Sequence, residues 1–352
     1  MRRLKSQRVD AVMLQIRSRM RLAALALWAV ALVPCLGRAE PGVSLEPREV
    51  RQWLMRIHDA ASHRNFQGTF VVSSGGVVSS ARIFHFFEGS DQFEWIEPLD
   101  GQARYVLRHN SEVHTVWPSM RVVLIEQRDA SISFPSILLG RDDHISEHYD
   151  VRTLRPDRAA GHDANVLLLK PRDEYRYGYR LWADAQTGLL LRSEVFDERG
   201  EVLEVSAFSD VLIGVRSQPE LVLQPMQTPP GYRVIKPQMQ PTRLDAEGWE
   251  LRTQVTGFRP LSCFRRPLEL GLKSDASPLS TPALHAVFSD GITYVSVFIE
   301  PYSEGRHLHP TLSSSGATHT MTSRRGDYWL TVVGDVPAVT LKAFSQSLDR
   351  RK

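Results

Sequence analysis

Cysteine is nearly missing from this chain: Cys35 and Cys263 are the only two among 352 residues. Cys35 falls in a leader expected to be removed, which leaves Cys263 alone. An intramolecular disulfide and a thiolate zinc cluster are thereby excluded, and the fold must rest on its apolar core. Familiar catalytic signatures are missing too. No Gly-x-Ser-x-Gly elbow, Gly-x-Gly-x-x-Gly turn or phosphate-cradling Gly-x-x-x-x-Gly-Lys occurs. A Ser-His-Asp triad is assembled in space rather than in sequence, yet no serine here sits at a recognisable strand-to-helix elbow. The reading is of a protein without catalytic machinery and without a cofactor.

The leader is residues 1–39. Arg17, Arg19 and Arg21 precede the apolar run LAALALWAVALVPCLG, and Gly37-Arg38-Ala39 places small residues where an export peptidase cuts. The run is too short, and too closely followed by Pro and Arg, to span a bilayer. Met20 opens a signal of more usual length, so starts at Met1 and Met20 both fit. A lipoprotein signal ending at Cys35 is the alternative, with Pro34 standing against it where a small residue is wanted. Cleavage after Ala39 leaves an exported protein.

Strong positive charge is a third absence. The leader holds eight of the 43 Lys/Arg and one of the 40 Asp/Glu, so 35 basic and 39 acidic side chains remain, a net of −4. No electrostatic footprint for nucleic acid is left.

What is present begins with one helix. Pro47 suits a first helical position, and Val50, Trp53, Leu54, Ile57 and Ala61 form one apolar stripe with His58 at its boundary. From Asn65 the period changes to two. FQGTFVVSS (66–74), ARIFHFFEG (81–89), QFEWIEP (92–98), ARYVLRHN (103–110), EVHTVWP (112–118) and RVVLIEQ (121–127) read as strands. The pattern returns in NVLLLKP (165–171), YRYGYRLWAD (175–184), LLLRSEVFD (189–197) and EVLEVSAFSDVLIG (201–214). Residues 217–243 carry six prolines and read as an extended domain linker. A smaller unit, 244–352, offers WELRTQVTGF (249–258), a hairpin around Asp290-Gly291, a strand pair over 320–335, and a C-terminal helix with Leu341, Phe344 and Leu348 on one face. The fold class is α+β: a large curved antiparallel sheet, a half-barrel wrapped on a helix over 40–216, plus a small antiparallel sheet with a C-terminal helix.

The stretch GRDDHISEHYD (140–150) contains His-x-x-Glu-His, the inverted zinc-protease pattern. A working motif needs both histidines on a long buried helix and a third ligand on another. Gly140 upstream and the strand-like residues after Tyr149 leave no room for that helix, so a charged, solvated turn is expected and no metal is assigned. His307-Leu308-His309 with Glu304 reads as an exposed loop. Arg325-Gly326-Asp327 reads as a turn. Aromatic surface is more informative. Phe70, Phe84, Phe86, Phe93, Trp95 and Trp117 lie on strands that one helix cannot cover, and are candidates to line a lipid cavity.

NFQGTFV (65–71), RAAG (158–161), RYGYRLW-x-D (176–184), TGLLLRSEVFDERGEVLE (187–204), HAVFSDG (285–291), VSVFIE (295–300) and WLTVVGDVP (329–337) together resemble the RseB/MucB family. The larger domain is also similar to the carriers LolA and LolB. The resemblance implies a periplasmic negative regulator of the envelope-stress sigma factor. Such a protein binds the periplasmic region of an anti-sigma factor, RseA or MucA, and shields it from the site-1 protease. Lipopolysaccharide or another envelope lipid in the larger domain would release it. The alternative is a lipid or lipoprotein carrier of the LolA type, which would not need the second domain. Arg324, Arg325, Tyr328 and Trp329 combine charge with aromatics and are the candidate partner contacts. A homo-oligomer is compatible with this reading.

Overall fold

The structure, a computed structural model, describes residues 42–128, 144–267 and 282–351. The export signal, and the part of the GRDDHISEHYD stretch before His144, lie outside the described residues.

Helix α1 (Pro47–His63) forms where the stripe predicts it. At its start the Glu49 carboxylate accepts the Glu46 N–H at 2.9 Å, satisfying a donor that a helix terminus leaves open. Val50, Leu54, Ile57 and Ala61 are buried and His58 is half-buried at the stripe's edge. A single helical turn, α2 (Ile145–His148), packs beside α1.

Fourteen strands among the described residues form one large sheet. Its order from one edge is Val43–Ser44, Tyr149–Thr153, His162–Pro171, Gly178–Asp184, Leu190–Phe196, Val202–Ile213, Phe66–Ser74, Val77–Glu88, Asp91–Pro98, Tyr105–His109, Glu112–Trp117, Val122–Gln127 and Arg233–Ile235. The strand Asp157–Ala159 adds to His162–Pro171 at the side. Two meanders, each as the alternation predicts, are therefore fused end to start. The fusion runs from Glu204 opposite Ser74 to Ile213 opposite Phe66, with a bulge between Phe208 and Asp210. Gly68 faces that bulge. A Cβ there would collide with the Asp210 carbonyl, so the close approach requires glycine.

The proline-rich segment is not simply extended. Helix α3 (Glu220–Met226) packs on Asp91–Pro98 and Tyr105–His109, with Val222 wholly buried. Beyond it, Arg233–Ile235 pairs with Val122–Leu124 in parallel, unlike the other ladders of this sheet. Prolines that cannot continue a sheet interior are tolerated around a short helix and an edge strand.

Seven strands among the described residues form the smaller sheet, in the order Gln240–Pro241, Arg259–Arg266, Ala283–Ser289, Tyr294–Pro301, Tyr328–Gly334, Thr318–Arg325 and Leu312–Ser315. Helix α4 (Ala338–Ser347) covers one face and buries Leu341 and Phe344, with Leu348 just beyond. WELRTQVTGF is a strand only at Trp249–Leu251, which pairs with Leu348–Arg350. The rest turns at Gly257 (φ 80°) so that Val255 and Phe258 reach the core. The stretch 302–323 contains Leu312–Ser315 and the start of Thr318–Arg325. No helix among the described residues is long and apolar enough to cross a membrane.

Candidate functional site

The two sheets meet at the turn of the Asp290-Gly291 hairpin. Asp290 caps that turn itself, its Oδ1 accepting the N–H groups of Ile292 (3.0 Å) and Thr293 (2.9 Å). Its Oδ2 reaches into the larger domain and accepts the Tyr149 hydroxyl and Arg176 Nε, both at 3.0 Å. Arg176 divides its remaining donors between Asp173 Oδ2 (2.5 Å) and the Thr256 carbonyl (2.7 Å). The side chains of Arg176 and Asp290 are fully shielded from solvent, and the guanidinium sits between the rings of Tyr149 and Phe258. Burial, then the Asp290 carboxylate, push the Tyr149 hydroxyl well above its ordinary range, so it stays a donor. Around this polar centre, Ile292 and Ala317 of the smaller domain enter the core cluster beneath α1. Thr340 of α4 donates to the Tyr175 carbonyl at 2.6 Å. A desolvated ion pair is tolerated when its charged groups find partners, and here each nitrogen of Arg176 and both oxygens of Asp290 have one.

Beside the joint opens a cleft of about 250 Å³. The large sheet gives it Phe70, Val72, Leu191, Val195 and Glu204, and the small domain gives Ile292, Thr293, Tyr294 and Asp335. The Glu204 carboxyl is raised above its usual range by burial, with Asp335 adding to the rise against a hydrogen bond from Ser74. Asp335 accepts the Thr318 hydroxyl at 2.5 Å. Near Glu204 the hairpin turns at Gly75 and Gly316 touch backbone to backbone. A Cβ on Gly316 would collide with Ser74, and both glycines hold positive φ.

Strand registry divides the six aromatic candidates. Phe84 opposes Trp95, and Phe86 opposes Phe93, so these four share one face. That face is covered: Phe86, Phe93, Leu107 and Val222 form a buried cluster under α3, with Phe84 and Trp95 half-buried against it. The expectation that they line an uncovered region is corrected, because the proline-rich segment folds over them. Phe70 opposes Ala81, in the row next to Gly68 and Ile83, and so lies on the α1 face, where it opens on the cleft. Trp117 opposes Val122 on that same face and is half-buried.

The four partner candidates divide in the same way. Arg324 opposes Trp329 and Arg325 opposes Tyr328 across the two-residue turn Gly326-Asp327, where Gly326 supplies the positive φ (60°). Arg324 is exposed and lies 3.8 Å over the Tyr302 ring. Trp329 is buried and stacked on His307, ring centroids 4.9 Å apart. Arg325 donates to the Ser345 carbonyl of α4 at 2.6 Å, and Tyr328 packs edge-on against Trp249. These last two hold the domain together rather than face outward.

His144 and Glu147 of the HISEH stretch bond to each other at 2.6 Å. The turn is less solvated than expected: Ile145 is buried, and half-buried His148 is held below its ordinary pKa by burial and then by Arg176. Among the described residues no group of three or more His, Cys, Asp or Glu is placed to hold a metal ion. His307, expected on an exposed loop, is buried beside Trp329, 3.3 Å from Glu300. Reasoning from sequence missed Arg176, Tyr149, Glu204 and Asp335. Asp290 was visible only as a turn former, although an aspartate between two apolar strands is the signal that it has a second use.

Comparison with known proteins covers both domains. The family described as MucB/RseB N-terminal domain matches residues 49–231, and MucB/RseB C-terminal domain matches 243–349. The sigma factor AlgU regulatory protein MucB of Pseudomonas aeruginosa is 27% identical over 325 residues, which are 90% of this chain and 96% of that one. The sigma-E factor regulatory protein RseB of Escherichia coli K12 is 25% identical, covering 84% of this chain and 89% of its own. A solved complex of P. aeruginosa MucA and MucB matches with a TM-score of 0.64 at 25% identity, covering 86% of this chain and 99% of that one.

Proposed function

The chain belongs to the MucB/RseB family, and on that premise we propose that it binds the periplasmic region of a membrane-spanning anti-sigma factor of the RseA or MucA kind. Bound there, it shields the anti-sigma factor from the site-1 protease and so holds the envelope-stress sigma factor in check. Its place of action is the periplasm, and its work is binding rather than catalysis. The observation that carries this reading is the likeness to MucB in its complex with MucA, which extends over 86% of the chain. A carrier would need only the larger sheet. The buried joint at Asp290 instead makes the second domain part of one body, so a partner resting on either domain is held by both.

Release by lipid is the second half of the proposal. The four aromatics under α3 offer the apolar area an acyl chain needs, at roughly 0.8 kcal/mol per buried methylene. The cover is seven residues long, contains Pro225, and buries Val222 alone completely. Lifting it would uncover Phe84, Phe86, Phe93 and Trp95 together. Of the partner candidates, exposed Arg324 with Tyr302 beneath it is the contact we retain for the anti-sigma factor.

The test uses the full exported chain and the purified periplasmic domain of P. aeruginosa MucA. The two should co-elute on gel filtration, and the MucA domain should then resist the site-1 protease. Lipopolysaccharide added to the complex should restore cleavage. Separate elution at tens of micromolar protein would defeat the binding reading; a complex indifferent to bound lipid would defeat the release reading alone.

A further inference from the structure

We propose that the cleft between the two sheets seats a cationic side chain, arginine or lysine, flanked by apolar residues and presented by the protein partner, with Glu204 and Asp335 as its counter-charges. The inference rests on the anti-sigma reading for the partner's identity but not for the chemistry of the cleft.

Shape and charge carry it together. A space of about 250 Å³ has walls of Phe70, Val72, Leu191, Val195 and Ile292. An apolar lining of this kind takes aliphatic matter, and the long stem of arginine or lysine is such matter. The ionisable groups on the lining are then decisive. Glu204 comes from the large sheet and Asp335 from the bend that follows Tyr328–Gly334 in the small domain. They are close enough that Asp335 raises the Glu204 carboxyl further, beyond what burial alone does. The cation on the lining is Arg192, which opposes Ala207 and so lies on the other face of the sheet from Glu204; there it stacks 4.6 Å over Trp182 and shares the Glu194 carboxylate with Arg180. The cleft therefore offers two carboxylates, from two domains, without a positive charge of its own to balance them. A guanidinium or ammonium entering between them gains attraction from both and relieves their mutual repulsion. Phosphate-bearing lipid headgroups meet charge of their own sign there and are disfavoured. The charge pattern thus separates two classes of occupant, assigning peptide to the cleft and leaving acyl chains to the cluster under α3.

The placement has a further property. Because the counter-charges belong to different domains, the bound cation ties the domains across the cleft as Asp290 and Arg176 tie them behind it. Recognition would then require the relative placement of the domains to be kept.

The experiment has two arms on the full exported chain. In the first, amide spectra are recorded with the peptide acetyl-Val-Arg-Val-amide and with its citrulline counterpart, which keeps the shape and loses the charge. The arginine peptide should shift the amides of Leu191, Thr293 and Tyr294, and the citrulline peptide should do so at least tenfold more weakly. Equal shifts, or none at those amides, overturn the proposal. So does displacement of the arginine peptide by lipid A vesicles that shift the same amides. In the second arm the MucA periplasmic domain is titrated into the wild type, into Glu204→Gln with Asp335→Asn, and into Glu201→Gln as an exposed control outside the cleft. The double variant should bind about ten- to a hundredfold more weakly with a shallower salt dependence, at unchanged melting temperature, and the control should match the wild type. Unweakened binding by the double variant also overturns the proposal. A MucA domain that fails to bind the wild type speaks against the anti-sigma reading, and the first arm still decides the cleft.

Discussion

Two attachments to the large sheet are built on opposite principles. The small domain is fixed by a polar joint in which Asp290 accepts four hydrogen bonds and Arg176 spreads its donors over Asp290, Asp173 and Thr256, the side chains of Asp290 and Arg176 being out of solvent. Helix α3 is fixed by contact alone: one side chain, Val222, is wholly buried, and no side chain caps the helix. The polar joint has one arrangement that satisfies every group, so departing from it strands charges. The apolar cover can slide or lift and lose only area. A protein that must hold one domain still and let another surface open would place its buried ions and its bare apolar contact as they are placed here.

Breaking the joint should cost most. Asp290→Ala leaves the Arg176 guanidinium buried without its main counter-charge, and about 3–5 kcal/mol of stability should go with it. Urea unfolding would show this, with exposed Asp245→Ala as the control; a loss under 1 kcal/mol would mean the joint is wet or loosely packed. The same reasoning warns against testing the smaller domain by truncation near Pro241, which would uncover Arg176 and Tyr149 as well as remove a binding surface.

Acid should distinguish the attachments next. His85 is buried against the end of α1, its Nδ1 2.8 Å from the Arg64 carbonyl and its Nε2 2.9 Å from the Gln92 amide, so the neutral ring fits. Burial pushes it down to about 4. Between pH 6.5 and 4 the unfolded chain takes up a proton that the folded chain refuses, so stability falls as pH falls, by roughly 3 kcal/mol for this group. His85→Gln should flatten the change in urea midpoint across that window; an unaltered slope would assign the acid sensitivity elsewhere. His85 lies on the α1 face, whereas the contact under α3 has His109 stacked on Phe93, ring centroids 4.7 Å apart, so His85→Gln should leave the exchange protection of 218–228 unchanged.

Val222→Asp aims at the cover directly. It should cost about 2 kcal/mol, and the loss should be local. Hydrogen exchange should quicken over 218–228 while the ladders of both sheets stay protected, and lipid uptake should rise. Slower lipid uptake in that variant would remove α3 from the release step. The smallest effect is expected for His144→Ala. Its bond to Glu147 is exposed, and exposed pairs of this kind contribute little to stability. A larger loss, or bound zinc that vanishes with the substitution, would restore a role to the HISEH stretch.

Much of this architecture was readable before any coordinates. Alternation located the strands of both meanders because each has one buried face, and the stripe from Val50 to Ala61 located α1. Pairing between meanders was not readable, since nothing in Val202–Ile213 names Phe66–Ser74 as its neighbour more than a hundred residues away. That registry also decided which face each aromatic took: Phe84 and Phe86 share a parity in any case, but Phe70 could be placed only once it was known to oppose Ala81. The proline count in 217–243 pointed to an extended linker, and it was misleading because Pro219 and Pro225 sit at the ends of a helix too short to be disrupted by them. Glu204 and Asp335 lie far apart in sequence and in different domains, so the cleft they share was out of reach of any local pattern.

The parallel strand Arg233–Ile235 has a consequence for solubility. A sheet that does not close into a barrel ends in rows of open amides and carbonyls, ready to recruit a second chain into a growing fibre. At one end the terminal strand is the two residues Val43–Ser44, too brief to template anything. At the other, three residues shield Val122–Leu124, and prolines at 229, 230 and 237 bracket them. Prolines lack the donor that another strand would need. The segment that joins the domains thus also terminates the large sheet, and shortening it to bring the domains closer would trade linker length for a tendency to aggregate.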